Sequence, residues 1–344
     1  MIRFDSDYTQ GAHPRILEAL VRTNMVQTCG YAEDAYSEEA RALIRAACEA
    51  ETADVHFLIG GTGTNTTVIA ASLRPYEGVL CAATGHINVH ESGAIEASGH
   101  KVIALPEENG KLTAKAAEAF CAAYHADPTK EHMVRPGMIY ISQPTETGTV
   151  YSAAEMAALK AVCGRYGMFL FVDGARLGYA LAAEGNDVTL PFLARTADVF
   201  YIGGTKVGAL FGEAVVITND ALKTGFRYMI KQRGSMLAKG RLLGVQFREM
   251  FTDGLYEEMG RHAIAAARRL KQIFAEAGYA FACDSPTNQQ FPILPNETLR
   301  RLSVDFAFSE WSSLDDTHTV VRFCTSWATT EEELTALETA VGRE

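Results

Sequence analysis

One stretch, residues 168–208, constrains this chain more than any other: MFLFVDGARLGYALAAEGNDVTLPFLARTADVFYIGGTKVG. Its two apolar runs, 169–172 and 199–202, have strand character. The first stops at Asp173-Gly174-Ala175-Arg176 and the second at Gly203-Gly204-Thr205-Lys206. In an open α/β sheet, ligands bind outside the carboxyl ends of the strands. Asp173 and Lys206 are therefore expected on one rim, with Arg176 beside them.

An acid, a lysine and an arginine on one rim suit pyridoxal 5'-phosphate. That cofactor needs a lysine amine for its aldehyde and an acidic partner that keeps its ring nitrogen protonated. Each residue alone has a plainer reading: Asp173 as a helix cap, Arg176 as a surface pair, Lys206 as a solvated loop residue. All three at strand ends, with glycines beside them, favour the functional reading.

The surrounding pattern extends the sheet. Strands are expected at 55–59, 79–82, 101–105 and 138–142, with helices at 15–22, 38–50, 66–73, 113–124 and 152–166. Strands alternating with helices as far as Ile217 imply an α/β class, crossover units and a mainly parallel sheet covered on both faces. Helices then dominate 220–277, where Arg227, Lys231, Arg233, Lys239 and Arg241 read mostly as a solvated face. After Gly278 come strand-like pieces at 290–294 and 319–325 and a last helix at 331–341. This change of rhythm marks a smaller α+β domain. The expected division is 15–246 for the large domain and 1–14 with 247–344 for the small one.

Two further segments bear on ligands. The strand at 55–59 runs into Gly60-Gly61-Thr62-Gly63-Thr64-Asn65 and then a helix, an arrangement that offers backbone N–H groups to a phosphate. Thr66 stands where a dinucleotide fingerprint needs its third glycine, and no Gly-Lys-Ser/Thr follows. A single phosphate fits better. His86 and His90 are four apart and Glu91 follows, but the order is H-x-x-x-H-E rather than H-E-x-x-H. No metal site is expected, and His86 is placed to stack on a cofactor ring.

Composition narrows the setting. With 344 residues, 48% of them apolar, the chain can bury one large core and a second, smaller one. A formal net charge of -11 argues against a nucleic-acid partner. The seven cysteines form no C-x-x-C pair, which fits reduced thiols in the cytoplasm. The start MIRFDSDYTQ lacks the pattern of a secretory signal, and no apolar run reaches membrane length, so no membrane partner is expected.

Read together, these residues resemble the threonine aldolase family of fold-type-I pyridoxal-phosphate enzymes, nearly end to end. The matching stretches are Ser6-Asp7, Tyr31-Ala32-Glu33-Asp34, Gly61-Thr62 with Asn65, and His86 with Glu91-Ser92-Gly93-Ala94. Further matches are Thr145-Glu146-Thr147-Gly148-Thr149-Val150-Tyr151, Asp173-Gly174-Ala175-Arg176, Thr205-Lys206 and Val321-Arg322-Phe323-Cys324-Thr325-Ser326-Trp327. The chain departs from the family's usual wording at the phosphate turn, at Thr205-Lys206-Val207-Gly208 and at Tyr31-Ala32-Glu33-Asp34.

The resemblance implies a large domain built on a mainly parallel sheet of seven strands, of the fold-type-I transferase kind. It implies that Lys206 is the Schiff-base lysine, that Asp173 holds the ring N–H and that His86 stacks on the ring. Gly61 and Thr62 would bind the phosphate, and Arg176 would stand beside the cofactor. Ser6, Arg176 and Arg322 would hold a substrate carboxylate, with Tyr31 reaching in from a neighbouring subunit. His132, or failing that His125, would stand near the substrate hydroxyl. The implied reaction is retro-aldol cleavage of a β-hydroxy-α-amino acid to glycine and an aldehyde, in a homodimer or homotetramer with shared sites. The rivals are a β-eliminating lyase or aminotransferase on the same scaffold, and a nucleotide-binding α/β protein without the cofactor.

Overall fold

The protein is described here as a computed structural model covering residues 1–342. In chain order its first strands are β1 (Ile2–Arg3), β2 (Asp54–Leu58), β3 (Glu77–Ala82), β4 (Val102–Leu105), β5 (Arg135–Ser142), β6 (Phe169–Asp173), β7 (Val199–Gly203) and β8 (Glu213–Ile217). All but β1 form one sheet of seven strands in the order β2-β8-β7-β6-β5-β3-β4. The pairs from β7 through β4 are parallel, whereas β8 runs against both its neighbours. Only residues 204–212 join β7 to β8, too few for a helical crossover, so the chain must turn back on itself.

Helices cover both faces, and the strands are apolar on both sides as a result. In β7, Phe200 and Ile202 join one core while Val199 and Tyr201 join the other, as a period of two requires. Two helices begin earlier than periodicity indicates. The helix Ala35–Ala47 starts at its cap, Asp34, whose side chain accepts from the Ser37 N–H. The helix Gly61–Ser72 takes the glycine-rich segment as its own first turn. Glycine and threonine are weak helix formers. Burial of Thr64, Asn65 and Thr67 overrides that preference.

The remaining strands are β9 (Gln289–Gln290), β10 (Ile293–Pro295), β11 (Phe306–Ala307), β12 (Ser309–Ser313) and β13 (His318–Cys324). β13 pairs with β10, β12 and β9, and β1 lies parallel to β11. A third core, including Phe4, Leu270, Phe274, Leu294, Phe323 and Leu337, forms here. The long helix Leu255–Glu276 belongs to two cores: Leu255, Tyr256 and Met259 pack into the large one, Leu270 and Phe274 into the small one. Among the described residues no helix is long and apolar enough to cross a membrane.

Candidate active site

The parallel strands deliver their last residues to one rim. Ser142 ends β5 in register with Asp173, which ends β6. The turn after β7 carries Lys206, and the reversal into β8 brings Glu213 opposite Gly203. Above this rim lies a cavity of about 310 Å³ lined by Gly61, Thr62, His86, Asp173 and Lys206 among others. A second cavity, of about 470 Å³, adjoins it and is lined by His90, Gln289, Trp311 and Arg322. Tyr8, His86, Glu146, Arg176 and Lys206 line both.

Asp173 is buried and carries four donors. Its Oδ1 accepts from the Tyr201 hydroxyl at 2.5 Å and the Ala175 N–H at 2.9 Å. Its Oδ2 accepts from the Tyr140 hydroxyl at 2.5 Å and Asn65 Nδ2 at 3.1 Å. Burial opposes the charge, but His86 and the donating hydroxyls outweigh it and hold the carboxyl below its usual range. Asn65 also donates to Glu91 at 2.7 Å, and Glu91 accepts from His86 Nδ1 at 2.7 Å. A carboxylate only accepts, so His86 carries its proton on Nδ1 and turns Nε2 outward from that bond.

Lys206 lines both cavities, and its carbonyl accepts from the Tyr179 hydroxyl at 2.5 Å. Burial, with the nearby charge of Arg176, pulls its amine below the usual lysine range. Behind it, Glu213 accepts from the Thr205 hydroxyl at 2.8 Å and the Gly204 N–H at 3.2 Å. Burial pushes the Glu213 carboxyl upward. At the far end, no side chain caps the helix Gly61–Ser72 and no acid stands in its first turn. Its leading N–H groups are open to an anion. A Cβ added at Gly61 would come within 3.3 Å of the Tyr201 hydroxyl.

The two arginines are housed differently. Arg176 donates through Nε at 2.6 Å and Nη2 at 3.1 Å to the two oxygens of Asp7, which is itself held by Asn288 at 2.9 Å. Among the described residues Arg322 makes no ion pair: Nη2 donates to the Asp5 carbonyl at 3.1 Å, Nη1 to Gln289 at 3.4 Å, and Nε is buried without a partner. Its guanidinium lies 5.2 Å from the Trp311 ring.

Thus Lys206, Asp173, His86, Gly61, Thr62, Arg176 and Arg322 converge, and three expected residues do not. Ser6 is buried but lines neither cavity. Its neighbour Asp7 takes the guanidinium of Arg176, because a carboxylate pairs bidentately where a hydroxyl cannot. Tyr31 lies 44% exposed, its ring 4.7 Å from Lys231, away from both cavities of its own chain. His132 is exposed in a short turn, Lys130–His132, leading into β5, so the eight residues of that strand separate it from the rim. At strand rise this is about 23 Å. His125 stacks on Tyr166 instead, 5.1 Å between centroids.

Sequence reasoning missed Asp7, Tyr140, Tyr201, Glu146, Glu213 and His90 as parts of the site. Asp7 and Glu146 stood inside matched stretches, and His90 was weighed only as a metal ligand. The two tyrosines sit among apolar strand residues and gave no signal of their own.

The chain is similar along its length to known proteins. A family model described as beta-eliminating lyase matches residues 4–303. A low specificity L-threonine aldolase of Pseudomonas aeruginosa is 30% identical over 303 residues, 88% of this chain and 84% of its own. A solved threonine aldolase of Leishmania major is 44% identical with a TM-score of 0.96, covering 100% of this chain and 99% of that one. An aspartate aminotransferase of Thermus thermophilus shares the fold alone, with 16% identity, a TM-score of 0.71 and coverage of 100% and 91%. A chain so matched along its length belongs to the threonine aldolase family of the β-eliminating lyases.

Proposed function

We propose that this lyase cleaves L-threonine and L-allo-threonine, and β-hydroxy-α-amino acids like them, to glycine and an aldehyde with pyridoxal 5'-phosphate as cofactor. The observation that carries the reading is the pairing of an ionised, buried Asp173 with a Lys206 amine held below its usual range on one rim. The residues present fit the cofactor: a carboxylate for the ring nitrogen, an imidazole locked by Glu91, an amine, and an uncapped helix end for the phosphate. When bound, the cofactor supplies an electron sink for the pair left at the substrate's α-carbon.

The chain's own residues do the rest. Tyr140, Tyr201, Asn65 and the Ala175 N–H keep Asp173 anionic, so a proton stays on the group it faces. Gly61 and Thr62 offer N–H groups to the phosphate. Arg322, lacking any carboxylate of its own, is the guanidinium best supplied to take the substrate's. Arg176 stands across from it, with its Nε edge committed to Asp7. Two arginines around one carboxylate orient the bond to be broken.

The family resemblance supports a homodimer or homotetramer in which the exposed Tyr31 reaches a neighbour's site, and a division into 15–246 and 1–14 with 247–344. The seven unpaired cysteines support a reducing, cytoplasmic setting. The test is chemical. L-Threonine should yield glycine and acetaldehyde, and borohydride followed by mass spectrometry should place a pyridoxyl group on Lys206. Pyruvate and ammonia as products, or an adduct on another lysine, would overturn the reading.

A further inference from the structure

Cleavage of a β-hydroxy amino acid requires a group that takes the hydroxyl proton, and His132 lies away from the site of its own chain. On the threonine-cleavage reading, on which this inference rests, the reacting carbons lie beside Lys206, where the two cavities meet. Five side chains line both cavities there: Tyr8, His86, Glu146, Arg176 and Lys206. Arg176 is a cation held by Asp7, and Lys206 is the amine already assigned. Tyr8 carries a phenol and is 57% exposed. His86 spends Nδ1 on Glu91, and its ring is already assigned to stack on the cofactor. Glu146 is the one carboxylate of the five.

Glu146 is 9% exposed and sits in the turn after β5. Its Oε1 accepts from the Ser142 hydroxyl at 2.6 Å and from the His86 backbone N–H at 3.1 Å. Those two donors come from different elements and fix the carboxylate in place. Its Oε2 has no hydrogen-bond partner among the described residues and is not sealed from solvent. Burial above all, with the charge of Asp173 adding, lifts the carboxyl above its usual range against the opposing bonds. A base moved toward neutrality is a better one at neutral pH.

We propose that Glu146 is the catalytic base of the cleavage, its Oε2 taking the proton of the substrate's β-hydroxyl. The O–H pair becomes the second C–O bond of the aldehyde as the Cα–Cβ bond breaks. The pair from that bond stays with Cα, which takes up one proton to give glycine. One proton leaves the hydroxyl and one arrives at Cα, so no further reactant is needed.

The experiment compares two reactions of the holoenzyme. One is glycine release from L-threonine; the other is exchange of a glycine α-proton with deuterated water, which involves no β-hydroxyl. Glu146→Gln keeps the shape and the acceptor at Oε1 and removes the base. The ratio of cleavage to exchange should fall about a hundredfold or more, with Glu146→Asp recovering part of it. An unchanged ratio, including a fall of both reactions together, would overturn the role of Glu146. If the wild-type enzyme exchanges glycine yet releases none from L-threonine, the reaction reading fails instead and takes the proposal with it.

Discussion

Asp173 and Arg322 face adjoining cavities, and their surroundings are opposite in kind. Four donors, from two strands, a helix and the turn after β6, converge on the Asp173 carboxylate. Arg322, on β13, has carbonyl, amide and hydroxyl partners at 3.1 to 3.4 Å and a buried Nε with none. A charge satisfied by the protein suits a group that stays bound. A charge left short of a counter-ion suits one that arrives and leaves, because the arriving carboxylate supplies what the protein withholds. The same contrast separates the arginines: Asp7 pairs with Arg176 from within the chain, and among the described residues no carboxylate pairs with Arg322.

The largest effect should come from breaking the satisfied side. Asp173→Asn leaves the shape but removes the charge, and turnover should fall about a thousandfold. Steady-state kinetics with saturating cofactor would measure it, and a fall below tenfold would remove Asp173 from the ring-nitrogen role. The unsatisfied side should lose binding first. Arg322→Leu should raise the Michaelis constant for L-threonine about a hundredfold, the effect of losing about 3 kcal/mol of a charged pair. Turnover should drop as well, because the carboxylate no longer holds the breaking bond in line. Unchanged constants for both L-threonine and L-allo-threonine would place the carboxylate elsewhere.

The smallest effect tests Asp7 as a structural partner. Burial opposes its charge, but Arg176, Lys206 and Asn288 overcome that and hold the carboxyl below its usual range. A folded value below the unfolded one means that the stabilisation is complete above about pH 4. It is lost as pH falls through the folded value. Asp7→Asn should therefore cost about 2 kcal/mol at neutral pH, and the difference from wild type should shrink in acid. Urea titrations at several pH values would check this. A gap that widens toward low pH would show that Asp7 is not the charge holding Arg176.

How much of this was legible beforehand varies by residue. The placement of Asp173, Lys206 and His86 at one cavity was readable because a strand end fixes where a side chain goes, and apolar runs mark strand ends. The last helix, Glu331–Val341, was readable from its pattern, and Thr330 with Glu333 closes a capping box at its start. The beginning of the helix Gly61–Ser72 was not, since its residues favour turns and only packing makes them helical. His132, which the resemblance places near the substrate hydroxyl, lies before β5 and so at the far end of that strand from the rim. Nearness in sequence is no guide across a strand, which carries the chain from one end of the sheet to the other.

The sequence by itself determined the α/β alternation, the rim chemistry of Asp173 and Lys206, and the family, because these depend on local pattern and on residues next to strand ends. Tertiary structure alone decided that β8 runs backward and brings Glu213 behind Lys206. It also decided that Asp7 claims Arg176 while Arg322 stays without a counter-ion, and that Glu146 rather than His132 stands at the junction of the cavities. Each of these is a pairing between residues far apart in the chain. Such pairings follow from which backbone segments pack together, a quantity that no window of sequence contains.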